Sequence, residues 1–250
     1  MLKASSSLVG TIIGAGLFGV PYVMVQAGFL AGSILFLALT AIMLVLHLMY
    51  AEVVDRSGVR HRLTGYMDMY FGKRAKDVTT ISVVLAIYGS LIVYILLANE
   101  FLTNIFGEIL SGEIYWGLIF WAILSIGIIK GIKTISNAET LLLGFLGLVL
   151  LLIGIRGLPV VEFSNFNSIN LKNILLPYGV ILFALGGFQA IPEMRFIIGK
   201  DGKTFKRSVI VGVLFSALAT ILFAFIVVGV SGETTSPEAI SGLEQFLGEE

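Results

Sequence analysis

Apolar runs of span length alternate with short polar segments along the chain, at residues 6–26, 31–54, 78–104, 113–131, 138–157, 174–198 and 207–231. At about 1.5 Å per residue each run reaches across roughly 30 Å of hydrocarbon, so the pattern predicts seven transmembrane helices. Lys3 ahead of the first run imitates a signal peptide. The glycine-rich core of that run and the lack of an A-x-A cleavage pattern point instead to a retained helix. Two of the seven runs are interrupted at mid-span. The first carries Gly14-Ala15-Gly16-Leu17-Phe18-Gly19-Val20-Pro21, the sixth Phe183-Ala184-Leu185-Gly186-Gly187-Phe188-Gln189-Ala190-Ile191-Pro192-Glu193. A broken helix in a bilayer is costly unless the freed N–H and C=O groups face protein, water or a ligand.

The segments between the runs carry weaker signals. Over 59–77, Leu63, Tyr66, Met67, Tyr70 and Phe71 recur at helical spacing among cations, as in a short helix lying in the membrane interface. Ser136-Asn137-Ala138-Glu139 reads as a capping box opening the fifth span. Residues 157–173 form a polar connection; Ser236-Pro237-Glu238 predicts a helix start, and Ser241-Gly242-Leu243-Glu244 a second capping box. The pairs Gly28/Gly32 and Gly127/Gly131 have the spacing of close helix packing.

Composition removes most function classes. Apolar residues make up 57% of the chain and charged ones 13%, and mean hydropathy is +1.00. A soluble domain of this size has no use for so much apolar surface. Net charge is zero with no basic–aromatic stretch, so nucleic acid is not a partner, and zero cysteines exclude disulfides and thiolate metal sites. Fourteen of the sixteen lysines and arginines fall on one side of the seven-span topology; only Arg156 and Lys172 fall opposite. The positive-inside rule then predicts a cytoplasmic N-terminus, an exoplasmic end to this chain, and a place in the cytoplasmic membrane.

Two interrupted spans five helices apart are the pattern of an inverted-repeat transporter. Half-helix ends there offer N–H donors to an anion and bare carbonyls to a cation, which suits a zwitterionic amino acid. The run Gly10-Thr11-Ile12-Ile13-Gly14-Ala15-Gly16-Leu17-Phe18-Gly19-Val20-Pro21 resembles the first-helix signature of the amino acid/auxin permease family and of the related bacterial aromatic amino acid permeases. Gly186-Gly187-Phe188-Gln189-Ala190-Ile191-Pro192 resembles their sixth-helix break, and Arg62-Leu63-Thr64-Gly65-Tyr66 with Phe71-Gly72-Lys73 their first cytoplasmic loop. The resemblance implies the amino acid–polyamine–organocation superfamily and an all-α LeuT-type fold of two five-helix inverted repeats, with helices 1 and 6 broken. Residues 1–158 would form the first repeat and 159–250 an incomplete second one. Seven spans, where that fold has at least ten, imply a C-terminally truncated form.

The resemblance also implies site residues. Ile13, Gly14, Ala15 and Gly16 would bind the substrate carboxylate through backbone N–H groups, with Phe18 packing nearby. Ala184, Gly186 and Gly187 would border the amino group and side chain, Phe183 would gate the substrate, and Gln189 would orient it. Tyr94 in the third span is a further candidate for the carboxylate. Thr11, Glu193 and Arg195 are the coupling and gating candidates. Sodium-coupled relatives place asparagine just before the first break, where this chain has Gly10 and Thr11, so proton coupling or exchange is favoured over sodium symport. No cofactor beyond H+ or Na+ and no metal is implied; the partners are the amino acid and the bilayer, and oligomeric state is unreadable. His47, the one histidine within a span, reads as a satisfied structural residue, and Glu52 as the interfacial end of its helix.

The expected function is therefore a secondary active permease moving a neutral amino acid, aromatic ones included, by alternating access. A sodium-coupled symporter or exchanger of the same fold is the alternative. A membrane enzyme lacks a nucleophile–base pair or metal ligands at membrane depth. A seven-helix receptor fits poorly with an exoplasmic C-terminus, and the seventh span has no lysine for a Schiff base.

Overall fold

The structure, a computed structural model, describes residues 1–107, 115–129, 132–168, 170–199 and 201–239, with backbone alone for 132–143 and Leu171. The described residues form ten α-helices, short 3₁₀ turns and no strand. The helices are α1 (Leu2–Ile12), α2 (Gly16–Ala27), α3 (Phe29–Ser57), α4 (Leu63–Phe71), α5 (Lys73–Phe106), α6 (Trp116–Ile129), α7 (Ile132–Gly157), α8 (Pro177–Ala184), α9 (Ala190–Ile198) and α10 (Gly202–Ser231). Both predicted interruptions are present, one between α1 and α2 and the other between α8 and α9.

Helices α3, α5 and α10 are each long and apolar enough to cross a bilayer, and α1 with α2 makes a fourth span if the bent pair is counted as one. The fourth and fifth predicted spans contain shorter apolar helices over Trp116–Ile129 and Gly144–Val160. The sixth is divided by its break into helices of eight and nine residues. Neither piece alone spans the hydrocarbon, since nine residues rise only about 14 Å.

The chain forms two compact units, Met1–Leu63 with Leu150–Glu250, and Thr64–Val149. In the first, α2 and α3 make a hairpin at Gly28, whose φ of +88° is open to glycine and strained for other residues. Gly32 lets α3 approach Met24, whose Cγ would lie 3.0 Å from an added Cβ. Helix α10 lies along α1: the Ser5 hydroxyl donates to the Ser208 carbonyl at 3.2 Å, and Leu8 covers Gly212. Val20, Met24, Phe36, Met43, Ile181 and Leu185 form one buried core with Ala217 and Ala224 of α10. The predicted polar connection winds through three 3₁₀ turns and seals one end of this unit. Glu162 N–H donates to the Gly229 carbonyl at 2.8 Å, Asn170 N–H to the Ala27 carbonyl at 3.1 Å, and Phe166 stacks on Phe225 at 4.8 Å.

In the second unit α4 is the short helix predicted over 59–77, tied to α5 by Lys76 and Asp68 at 2.9 Å. The start of α6 docks on α5 where Gly117 N–H donates to Asn99 Oδ1 at 3.1 Å.

Four local expectations change. Helix α7 begins at Ile132, so Ser136 and Glu139 lie inside it and do not cap its start. Gly28 forms the hairpin turn at φ +88°, and of the pair only Gly32 is seen to bring a helix close. Gly127 on α6 has nothing within 4 Å of an added Cβ, and Gly131 lies outside the described residues. After the 3₁₀ turn Gly232–Thr234, residues 236–239 form a turn closed by Ala239 N–H to the Ser236 carbonyl, and Ala239 at φ +66° leaves the helical region. The second capping box lies outside the described residues.

The start of α10 carries a full N-cap. Asp201 accepts from the Lys203 and Thr204 N–H groups at 3.1 and 3.0 Å and from the Thr204 hydroxyl at 2.6 Å. The Thr204 hydroxyl foremost, and its N–H next, hold the Asp201 carboxyl below its ordinary range. A depressed native pKa means stabilisation that is full above the unfolded value and is lost as pH falls through the lowered one. Asp201→Ala is expected to remove that acid dependence and speed amide exchange at Lys203 and Thr204. Hydrogen exchange against pH reads both effects.

Candidate functional site

The first break turns on one residue. Ile13 has φ −76° and ψ 100°, extended backbone between two helices, and α1 and α2 meet there at 56°. Its glycines do not supply positive φ; they supply closeness. A Cβ on Gly16 would lie 2.6 Å from Ala184 Cα and 3.0 Å from Ala184 N. A Cβ on Gly187 would lie 2.5 Å from Ile12 Cγ1 and 2.9 Å from Leu8 Cδ1. The breaks therefore face each other. The start of α2 sits against the end of α8, and the end of α1 against the residues that lead into α9.

This places opposite helix ends side by side. The N–H groups of Gly14, Ala15 and Gly16, and those of Gly187, Phe188 and Gln189, donate no hydrogen bond among the described residues. The carbonyls of Ile12, Ile13, Ala184 and Leu185 accept none there either. Each half-helix N-terminus carries roughly half a positive charge and each C-terminus half a negative one. Free donors from residues 14–16 thus lie next to free acceptors at the end of α8. Such a pair suits a ligand that carries an anionic and a cationic group together. Proline keeps the ends apart. Pro192 sits in the first turn of α9, where a missing N–H costs nothing, and Pro21 inside α2 leaves the Leu17 carbonyl without its helical donor.

The named candidates do not all gather at the breaks. Ile13, Gly14, Ala15, Gly16, Ala184, Gly186 and Gly187 lie in or against the breaks, with Ala15 and Ala184 buried. Phe18 packs edge-on against Phe223 at 5.8 Å, and Phe183, on the last turn of α8, is 42% exposed. Gln189 and Glu193 are exposed and line a cavity of about 240 Å³ with Arg60, His61, Arg62 and Pro192. Thr11 is exposed, and its hydroxyl donates to the Ser7 carbonyl at 2.8 Å within its own helix. Tyr94 belongs to α5 of the second unit.

Arg195 has a partner that sequence reasoning missed. Its guanidinium meets Asp55 Oδ1 at 2.6 Å with the two side chains 21% and 23% exposed, and it also donates to the Gly199 carbonyl. Glu52, read as an interfacial helix end, pairs with both Lys206 and Arg56. These contacts tie α3 to α9 and α10 at the end of the unit that collects the basic residues. Gly202 permits it, because an added Cβ would lie 2.7 Å from Asp55 Oδ2.

His47 is satisfied at one nitrogen only. Nδ1 donates to the Met43 carbonyl at 2.7 Å, the ring is fully buried, and Nε2 has no partner. The ring stacks on Phe188, inside the second break, at 4.2 Å and 13°.

The tryptophan/tyrosine permease family matches the chain over residues 1–242. The chain is 24% identical over 248 residues to glutamine transporter 2 of Aliivibrio fischeri, covering 95% of this chain and 63% of that protein. It is 22% identical over 220 residues to tyrosine-specific transport system 1 of Haemophilus influenzae, covering 86% and 54%. The chain thus spans between half and two-thirds of the length of these relatives. No solved structure matches significantly.

Proposed function

The chain belongs to the tryptophan/tyrosine permease family, and we propose that it forms the substrate-binding part of an amino acid permease that is an integral membrane protein. It acts by secondary transport and not as an enzyme. Its substrate is a neutral amino acid, aromatic ones included, in keeping with relatives named for tyrosine and glutamine. The carboxylate is held by the N–H groups of Gly14, Ala15 and Gly16, and the ammonium by carbonyls at the end of α8. The observation that carries this reading is the contact of Gly16 with Ala184, which brings two helix ends of opposite polarity together.

The wider frame is the amino acid–polyamine–organocation superfamily and the LeuT-type fold. Residues 1–158 and 159–250 then belong to two inverted repeats, and the N-terminus is cytoplasmic. Support comes from the first compact unit, which gathers the first two spans of each repeat. Transport follows alternating access, driven by protons in preference to sodium. The ion pairs of Arg195 and Lys206 close the cytoplasmic side, and Gln189 and Glu193 line the way out.

The test is uptake of labelled tyrosine, tryptophan and glutamine into proteoliposomes holding the protein in its full reading frame. Accumulation under an inward proton gradient is expected. Uptake of no amino acid under any gradient would overturn the reading, and accumulation that follows sodium alone would overturn its proton clause.

A further inference from the structure

We propose that His47 is the proton-binding residue that couples the proton gradient to the substrate site, an inference that rests on the transport reading above. A carbonyl only accepts, so the 2.7 Å contact with Met43 fixes the proton on Nδ1 and leaves Nε2 as a bare lone pair. A buried polar atom without a partner calls for an explanation. A lone pair kept open for a transported proton is one.

Two further observations give the site a route and an output. Ser33, Thr40 and His47 lie on one face of α3 at seven-residue steps, and each keeps a buried polar atom without a partner. Ser216 on α10, packed along α3, has another. Seven residues rise about 10.5 Å, too far for direct hydrogen bonds but within reach of hydroxyls bridged by water. The route leads from the start of α3, on the exoplasmic side, down to His47. The output is Phe188. An imidazolium over an aromatic face gains cation–π attraction, so protonation strengthens the stack that holds the second break.

None of the other charged and titratable groups on the surrounding elements hydrogen-bonds His47. Asp55 pairs with Arg195 of α9, and Glu52 with Lys206 of α10; Glu193 lines the cavity with Arg60, His61 and Arg62. Lys203 and Arg207 of α10, Tyr22 of α2, Tyr178 of α8 and Tyr50 of α3 make no hydrogen bond to His47. Over a cycle the proton comes from exoplasmic water, adds to the Nε2 lone pair, and leaves to cytoplasmic water. The ring returns unchanged.

Coupling is reciprocal, so a proton that favours substrate must bind more tightly when substrate is present. In the full reading frame, wild-type affinity for a transported amino acid is expected to rise about 5–100-fold on acidification. His47→Phe keeps the ring stack, and His47→Gln keeps a donor for Met43. Both variants are expected to show pH-independent affinity and no proton-driven accumulation, with substrate exchange held within about twofold of wild type. Either variant retaining pH-dependent affinity and accumulation would overturn the proposal. So would folded variants that both lose exchange, since His47 would then act through packing. Wild-type affinity independent of pH would overturn proton coupling while leaving transport standing; binding of no amino acid would overturn the transport reading itself.

Discussion

Gly16→Ala lowers amino acid affinity on the order of tenfold or more while membrane insertion and the rest of the fold persist. The new methyl would sit 2.6 Å from Ala184 Cα, and the atom it meets is backbone. Nothing there can rotate aside, so α2 must move away from α8. Overpacking of this kind costs about 1–3 kcal/mol. That cost falls on the juxtaposition of donors and acceptors that binds the zwitterion. Gly187→Ala is the milder variant, because its methyl meets side-chain atoms of Ile12 and Leu8 and no backbone. Gly89→Ala, where nothing lies within 4 Å, should leave affinity unchanged. Equilibrium binding across the three variants gives the order Gly16, Gly187, Gly89. Equal effects would mean the glycines act through general helix packing.

Breaking the Asp55–Arg195 pair opens the basic end of the first unit. The pair is partly buried, and removing one partner leaves the other charge poorly solvated, so the contact between α3 and α9 weakens. The chain has no cysteine, which makes single-cysteine labelling clean. Met194, fully buried on α9, serves as the reporter when replaced by cysteine. Arg195→Gln or Asp55→Asn is expected to raise its labelling rate about tenfold, within the range of coupling energies measured for residues in contact. The charge swap Asp55→Arg with Arg195→Asp should restore protection. Unchanged labelling in the single variants would remove the pair from any gating role.

Much of this was legible in the chain itself. Gly14-Ala15-Gly16 with Pro21, and Gly186-Gly187 with Pro192, located both breaks, because glycine and proline in an apolar run weaken a helix wherever they stand. The contacts that give the breaks meaning were not legible. Gly16 meets Ala184, His47 meets Phe188 and Asp55 meets Arg195 across more than a hundred residues of sequence, and no local pattern records such pairings. The resemblance gave Gln189 a role in orienting substrate and made Glu193 a gating candidate, and neither reading recorded that both line one cavity with Arg60, His61 and Arg62. The capping box at Ser136 failed because the helix had already begun at Ile132. Capping motifs mark a start only where the preceding residues are not helical.

The central claim is that backbone N–H groups at the first break hold the substrate carboxylate. Nitrogen-15 resonances of Gly14, Ala15 and Gly16 in the membrane-embedded protein test it directly, recorded with a transported amino acid and with its decarboxylated amine. The amino acid should shift these amides and the amine should not. A bound amino acid that leaves all three resonances in place would contradict the account.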